Sequence, residues 1–276
     1  HAAGAERSQR VEHARERVWR VRATQVVLAT GAMERPLVFC NNDRPGVMLA
    51  SAVSAYTNRY AVRLGARAVV FTNNDSAYQT ALDLAQAGIA VAAIVDPSST
   101  PRRNLPMQAR SAGITIIDNA VVVNVHGTKR VTAVDVMALG AGGSKVTGPV
   151  KTIACDLVAL SGGWSPAVHL HAQSGGRPRF DETRLCFVPA DSVQAERSAG
   201  ACNGAFQLYA CIAEGHASGS EAARLAGFVP PQAMTLPAVT VASEEPPRAL
   251  WIVPSTEPGN RGPQQFVDLQ NDVTAS

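Results

Sequence analysis

The sequence predicts an α/β fold in which a parallel sheet with crossover helices carries a small antiparallel β layer. Three stretches predict it. Arg67 to Phe71 reads as a β run, Asp75 to Ala87 as a helix with Ala81, Leu82, Leu84 and Ala85 inward, and Ile89 to Val95, after Gly88, as a second β run. A strand, helix, strand unit of this kind is a crossover, and it joins parallel strands. Val26 to Ala29 is an apolar run closed by Thr30-Gly31, the pattern of a strand buried on both faces that ends in a tight glycine turn. Val121 to Val125 and Val131 to Leu139 alternate or run apolar on either side of the turn His126-Gly127-Thr128-Lys129-Arg130, as antiparallel strands do, and Gly140-Ala141-Gly142-Gly143 joins them to a further edge.

In chain order, Val18 to Val21 and Thr24 to Ala29 read as two strands. Between Pro45 and Leu64 the apolar residues Met48, Leu49, Ala52, Val53, Tyr56, Tyr60 and Val62 recur at helical spacing after a Pro-Gly turn, which predicts a helix. After the crossover, Arg102 to Ala112 fits a short helix and Ile114 to Ile117 a strand. Cys155 to Leu160 is another buried strand, closed by Ser161-Gly162-Gly163-Trp164-Ser165-Pro166. Gly204 to Leu225 reads as one long helix with Phe206, Leu208, Ala210, Ile212 and Ala213 apolar, weakened by Gly215 and Gly219. Prolines at 230, 231, 237, 246, 247, 254, 258 and 263 then mark an extended linker that either wraps on the domain or serves a partner.

At 276 residues with 46% hydrophobic and 17% charged content, the chain can bury a core in one large or two small domains. Its net charge of +3 is mild, and apart from a basic cluster in the first twenty residues the arginines are scattered or sit beside acids, so nucleic acid is a poor partner. No apolar run reaches the length of a membrane span and no signal-peptide core is present, so a soluble, cytoplasmic protein is expected. The five cysteines, Cys40, Cys155, Cys186, Cys202 and Cys211, form no Cys-x-x-Cys pair, which argues against disulfide-reductase chemistry. The opening from His1 is charged and Arg-rich rather than a strand with a phosphate loop, so the chain reads as a fragment.

A crossover that grips a pyrophosphate by the usual route places Gly-x-Gly-x-x-Gly between strand and helix, because glycines let backbone N–H groups approach phosphate. Here the turn is Thr72-Asn73-Asn74-Asp75-Ser76-Ala77. Asp75 reads as a structural N-cap that repels phosphate, so this crossover is expected to be empty of nucleotide. A binding site can still be assembled from strand ends: Thr30 and Gly31 close one strand, Gly162, Gly163 and Trp164 another, and Ala199-Gly200-Ala201-Cys202-Asn203-Gly204 opens the long helix with free N–H donors. Gly162 and Gly163 are equally well explained as a plain strand-terminating turn. His169 and His171, two apart, read as surface or interface residues without a metal partner, and Glu214 and His216 as a solvated helix face. Glu34 and Arg35 fit a buried ion pair that sets the turn, or a cofactor contact. No residue stands out as catalytic or as a metal ligand.

The Ala29-Thr30-Gly31 strand end resembles that of two-dinucleotide-domain flavoproteins of the pyridine-nucleotide oxidoreductase type. Glu34-Arg35-Pro36-Leu37-Val38-Phe39, Asn41-Asn42-Asp43-Arg44-Pro45-Gly46-Val47-Met48, the Asn73-Asn74-Asp75 block and Phe266 to Thr274 together resemble the alpha subunits of heterotetrameric sarcosine oxidases, relatives of opine-oxidase and cyanide-synthase subunits. The resemblance implies a Rossmann-like, FAD/NAD(P)-binding domain and an oxidoreductase complex that demethylates sarcosine to glycine with release of hydrogen peroxide. It implies NAD in this subunit beside Ala29, Thr30, Gly31, Gly200, Ala201, Gly204 and Phe206, FAD in the beta subunit, and FMN at a subunit interface. It also implies beta, gamma and delta partners, with sarcosine and tetrahydrofolate handled elsewhere in the complex. On this reading residues 1–50 and 151–228 are the remainder of a first dinucleotide-binding lobe, 51–150 a second nucleotide-domain-like lobe, and 229–276 a Pro-rich linker towards a folate-binding domain. The alternatives are an NAD(P)H-dependent flavoprotein reductase, an opine-oxidase or cyanide-synthase-like subunit, and a non-catalytic scaffold that docks other subunits.

Overall fold

The computed structural model describes residues 16–99, 104–229, 235–237, 246–254 and 264–275; the basic opening segment before residue 16 lies outside them. Strands β1 (Val26–Leu28), β2 (Ala32–Glu34) and β3 (Val47–Leu49) precede helix α1 (Ala50–Tyr60), and the crossover follows as β4 (Arg67–Thr72), α2 (Ser76–Gln86) and β5 (Ala90–Asp96). Next come α3 (Asn104–Ser111), β6 (Ile116–Asp118), β7 (Ala120–His126), β8 (Ala133–Leu139), β9 (Val146–Ala154), β10 (Leu157–Ser161), β11 (Trp164–Pro166) and α4 (His169–Gln173). The remainder comprises β12 (Pro178–Asp181), β13 (Cys186–Pro189), β14 (Glu196–Ser198), a 3-10 turn over Gly200–Asn203, α5 (Leu208–Leu225), β15 (Phe266–Asp268) and β16 (Val273–Thr274).

The main sheet runs β3-β10-β4-β5-β6, with every pair parallel. Side chains on a strand alternate between faces, and the sequence divides accordingly. Val69, Phe71, Val158 and Leu160 pack towards the antiparallel β7-β8-β9 layer, while Ala68, Val70, Leu157 and Ala159 pack against Ala77, Tyr78, Ala81 and Leu84 of α2 and neighbours from α1 and α3. Phe71 and Leu84 are fully buried, and each such side chain stabilises the fold by roughly 1.5–3 kcal/mol. The expected parallel sheet, crossover and antiparallel layer are therefore all present. Leu157–Ser161 stands between β3 and β4, so this part of the stretch assigned to a first lobe shares its sheet with the crossover. Among the described residues, no helix is long and apolar enough to cross a membrane.

A second group of elements adjoins this sheet: the parallel pair β1–β14, the antiparallel pair β2–β11, the β12–β13 hairpin and α5. Three local expectations are corrected here. Val18 to Val21 forms no strand, and Val18 is 93% exposed, because nothing among the described residues pairs with it. Val26 and Val27 are 42% and 37% exposed rather than buried on both faces, since β1 has β14 as its one described strand neighbour. Met48 and Leu49 belong to β3 instead of the following helix.

Gly88 ends α2 as the C′ residue of a Schellman turn: its N–H bonds to Ala85 O, the Ile89 N–H bonds to Leu84 O, and its φ is +76°. Gly88→Ala is expected to lower stability by about 1 kcal/mol through the positive φ alone, because a Cβ there meets nothing within 4 Å. Denaturant unfolding checks this.

Asp156, between β9 and β10, closes the start of β4 by accepting the N–H groups of Ala66 and Arg67. Partial burial would raise its pKa, but these backbone hydrogen bonds outweigh burial and hold the carboxyl below its ordinary value. A depressed folded pKa means the stabilisation is full above the unfolded value, about 3.9, and is lost as pH falls through the lower folded value. Asp156→Asn should therefore reduce stability at pH 7, and its difference from the parent should shrink as unfolding is measured at progressively lower pH below 4.

Candidate functional site

The carboxyl ends of β1 and β14 lie side by side, with Leu28 opposite Ser198. Ligands of parallel sheets collect outside such ends. A cleft of about 710 Å³ opens where the turns after β4 and β10 meet the start of α5, and its walls include Ala32, Asp75, Gly163, Trp164, Ala201, Gly204, Phe206 and Ala210. That volume falls within the roughly 300–1,000 Å³ common for small-molecule sites.

Two helix N-termini face this cleft, and they differ in a way that decides where an anion could sit. At α2 the Asn74 Oδ1 accepts the Ser76 N–H at 3.1 Å and the Ser76 hydroxyl at 2.6 Å, so a carboxamide satisfies the first turn. Asp75 occupies the cap position, as expected, but makes no side-chain cap hydrogen bond; Asn74 performs that task. Asp75, 5% exposed, is among the residues lining the cleft. Helix α5 has no side-chain cap at Gln207, and Phe206, Gln207 and Ala210 line the cleft at its start. Among the described residues, then, no side chain caps the positive end of the α5 dipole, whereas α2 presents a carboxamide-capped turn at Asp75.

Arg184 adds positive charge to the same wall. Its Nε donates to Gly204 O at 2.9 Å and its Nη1 to Asp181 Oδ2 at 2.6 Å. The Asp181 carboxyl is held below its ordinary pKa, first by the backbone N–H of Arg184 and then by the guanidinium itself. On the opposite wall Trp164 Nε1 donates to Ser76 Oγ, tying β11 to the start of α2.

Of the nine positions expected to touch a dinucleotide, the cleft is lined by Gly163, Ala201, Gly204 and Phe206. Ala29, Thr30, Gly31, Gly162 and Gly200 are not among its lining residues, although Ala32, next to Gly31, is. Thr30 Oγ1 donates to Ala167 O, and Gly31 O accepts the Ala167 N–H, so this strand end is tied to the segment after β11. Gly162 makes a close backbone approach of a different kind: a Cβ there would lie 2.7 Å from Pro36 O. The Gly200 N–H, expected as a free donor, is taken by Glu214 Oε2 at 2.9 Å. Glu214 was expected on a solvated helix face and instead reaches back from α5 to cap the 3-10 turn. The long helix itself starts at Leu208 rather than Gly204, because Gly204 at φ +84° closes that turn. Arg184, Thr183, Ala210 and the Pro246-Pro247 pair were missed, and no local periodicity marks them.

Glu34 and Arg35 do not pair with each other. Glu34 Oε2 accepts the Ser51 N–H at 2.8 Å and so caps α1. Arg35 donates through Nη1 to Leu185 O, and its guanidinium stacks 5.0 Å from the Trp251 ring centroid. Burial lowers its pKa, partly opposed by Cys186. His171 is not a surface residue: it is 1% exposed, with Nδ1 2.8 Å from Glu196 Oε1, while His169 is exposed. All five cysteines are free, and burial pushes the Cys155 thiol up to about 12, which makes it inert. No group of three or more potential metal ligands occurs among the described residues.

No family model matches the chain. It is 41% identical over 268 residues to the sarcosine oxidase alpha subunit of Corynebacterium sp. strain P-1, which covers 95% of this chain and 27% of that subunit. To the alpha subunit of Rhizobium meliloti strain 1021 it is 38% identical over 262 residues, 94% of this chain and 24% of that one. The chain thus spans about a quarter of the length of these curated relatives. Among solved structures it resembles the L-proline dehydrogenase of P. horikoshii, with TM-score 0.53, 21% identity and coverage of 78% of this chain and 40% of that one. It also resembles the Lactococcus lactis thioredoxin reductase in its FR conformation, with TM-score 0.55, 19% identity and coverage of 73% and 65%. The resemblance carried by the sequence blocks therefore holds along nearly the whole chain, and the fold is the one seen in thioredoxin reductases.

Proposed function

We propose that this chain, similar along nearly all its length to a segment of sarcosine oxidase alpha subunits, is the dinucleotide-holding and structural part of such a subunit in an oxidoreductase complex. The observation that carries the proposal is the cleft at the start of α5, where a helix N-terminus with no side-chain cap among the described residues, Arg184 and two glycines of positive φ meet. A pyrophosphate fits the α5 start for the same reasons that phosphates favour helix N-termini generally. Gly163 and Gly204, at φ +87° and +84°, turn the chain along the wall of the cleft, with Ala201 and Phe206 alongside. Bound there, NAD would be a tightly held nucleotide rather than a reacting centre.

The holoenzyme reaction belongs to the same proposal: the N-methyl group of sarcosine would be oxidised to give glycine and a one-carbon unit while dioxygen is reduced to hydrogen peroxide, with FAD held by the beta subunit and FMN at a subunit interface. Gamma and delta subunits, tetrahydrofolate in another domain and a soluble cytoplasmic setting complete it. Residues 1–50 and 151–228 would be the remainder of a first dinucleotide-binding lobe. The turn at Asn73 to Asp75 disfavours the reductase alternative, since it lacks the glycines for an exchanging nicotinamide nucleotide.

Cofactor analysis of the purified full-length complex is the test. NAD released on denaturation at about one per alpha subunit supports the proposal, together with FAD and FMN. A complex with both flavins and no nicotinamide nucleotide would leave the docking scaffold as the role of this segment.

A further inference from the structure

A crossover that holds a dinucleotide uses two devices: open N–H groups in the turn after its first strand, and an acid at the end of its second strand that hydrogen-bonds a ribose. In this chain both are occupied from within. The acid is Asp96, the last residue of β5, and it is fully buried. Its Oδ2 accepts the Tyr78 hydroxyl at 2.7 Å and its Oδ1 the Ser98 N–H at 2.7 Å. At the turn, the N–H groups of Asn73, Asn74 and Ser76 are taken by Ser161 O, Thr72 Oγ1 and Asn74 Oδ1, while Asn73 directs its side-chain Nδ2 to the carbonyls of Arg248 and Leu250, both at 3.0 Å, and its own carbonyl accepts the Arg248 N–H at 2.9 Å.

The segment around Arg248 continues across the carboxyl edge of the sheet. Arg248 Nη1 donates to Pro97 O, just past β5, and Trp251 Nε1 donates to Gly162 O, just past β10. The Val38 N–H bonds to Trp251 O at 2.7 Å, and the Val253 N–H returns to Val38 O at 2.8 Å. Leu250 and Val253, 6% and 2% exposed, join the core cluster that contains Phe71, Val95 and Leu160. Loops following three different strands are thus tied to one short stretch of a proline-rich tail.

We propose that residues 248–253 are the internal occupant of the second nucleotide lobe: a covalently supplied peptide strap lies where a dinucleotide would enter, and this lobe binds the chain's own backbone in place of a nucleotide. The strap rests on these hydrogen bonds and not on the ligand assigned to the cleft beside α5. It also accounts for the residue types. An asparagine side chain offers the two donors that the strap carbonyls need, and a glycine at position 73 could not.

Hydrogen–deuterium exchange on the full-length polypeptide in its complex tests the assignment. Backbone amides at 248–253 should be protected in the parent protein, and Asn73→Ala should speed their exchange at least about tenfold while leaving α5 unchanged. If Asn73→Ala does not fold, Trp251→Phe, which removes the bond to Gly162 O and leaves Arg35 a smaller ring to stack on, should give a smaller rise in the same segment. NADH or ADP-ribose added at millimolar concentration should leave strap protection unaltered, whatever it does to residues 201–210. Unprotected strap amides in the parent, no response to either variant, or loss of strap protection on adding either nucleotide would each overturn the proposal.

Discussion

Gly176→Ala should destabilise the full-length polypeptide by about 3 kcal/mol or more, in the class of severe overpacking mutations. An alanine Cβ at this position would lie 2.3 Å from His171 Cε1, 2.4 Å from Nε2 and 2.7 Å from Nδ1, distances no side chain tolerates. The ring has nowhere to go. It is 1% exposed and its Nδ1 is bound to Glu196 Oε1, which also accepts the Ser174 hydroxyl. Moving the imidazole aside would strand a carboxylate that is itself 7% exposed, and an unpaired buried carboxylate costs several kcal/mol. The measurement is urea unfolding of the parent, Gly176→Ala, His171→Ala and the double variant. If the clash is the cause, the double variant costs less than the sum of the singles by at least about 1 kcal/mol. A single-variant change under about 0.5 kcal/mol, the range of ordinary surface substitutions, would show that the ring is not held where the packing places it.

The contrast between His171 and the crossover shows what a sequence of this kind discloses. The crossover was legible because its strands and helix each carry an apolar pattern with its own period, and Gly88 punctuates them at the C′ position it occupies. His171 had no such signal. In His169-Leu170-His171 the two imidazoles are two apart on a short helix, so they face different ways, and only the long-range neighbours Gly176 and Glu196 determine which one is buried. The same holds for Glu34, whose capping partner is Ser51, and for Glu214, which serves Gly200. Each side chain closes a backbone donor on an element remote in sequence, and periodicity is silent about such bonds.

The β1 strand failed for a related reason. A run such as Val26-Val27-Leu28 indicates burial only if strands flank it on both edges and layers cover both faces; here β14 is its one described neighbour. The cleft was half legible. Gly163 and Gly204 were visible as glycines at element ends, but Arg184 reaches the site from a hairpin turn built by Asp181, and Pro246-Pro247 from the distant tail. The tail's prolines mark it only as a proline-rich stretch, and the partners of Arg248 lie as much as 175 residues away at Asn73, beyond the reach of local pattern.

Ala210→Trp should remove NAD from the folded full-length subunit, lowering nucleotide retained through purification by roughly ten- to a hundredfold. Ala210 is half-buried on the first turn of α5 and lines the cleft, so an indole there fills ligand space while the helix backbone stays as it is. Overpacking a filled site costs about 1–3 kcal/mol, and 1.4 kcal/mol corresponds to a factor of ten in affinity. Glycine substitutions are poorer probes. A Cβ at Gly204 would lie 2.9 Å from Val188 Cγ1 and 3.1 Å from Arg184 Cδ, so Gly204→Val perturbs folding together with binding, and Gly31 does not line the cleft. Gly88→Ala supplies the control, since it weakens the fold at a helix end away from the cleft and should leave NAD per folded molecule unaltered. The deciding quantity is therefore the ratio of NAD to folded protein in the two variants. If Ala210→Trp folds and keeps its full complement of NAD, the nucleotide lies elsewhere in the complex, and this segment is better understood as the scaffold on which other subunits dock.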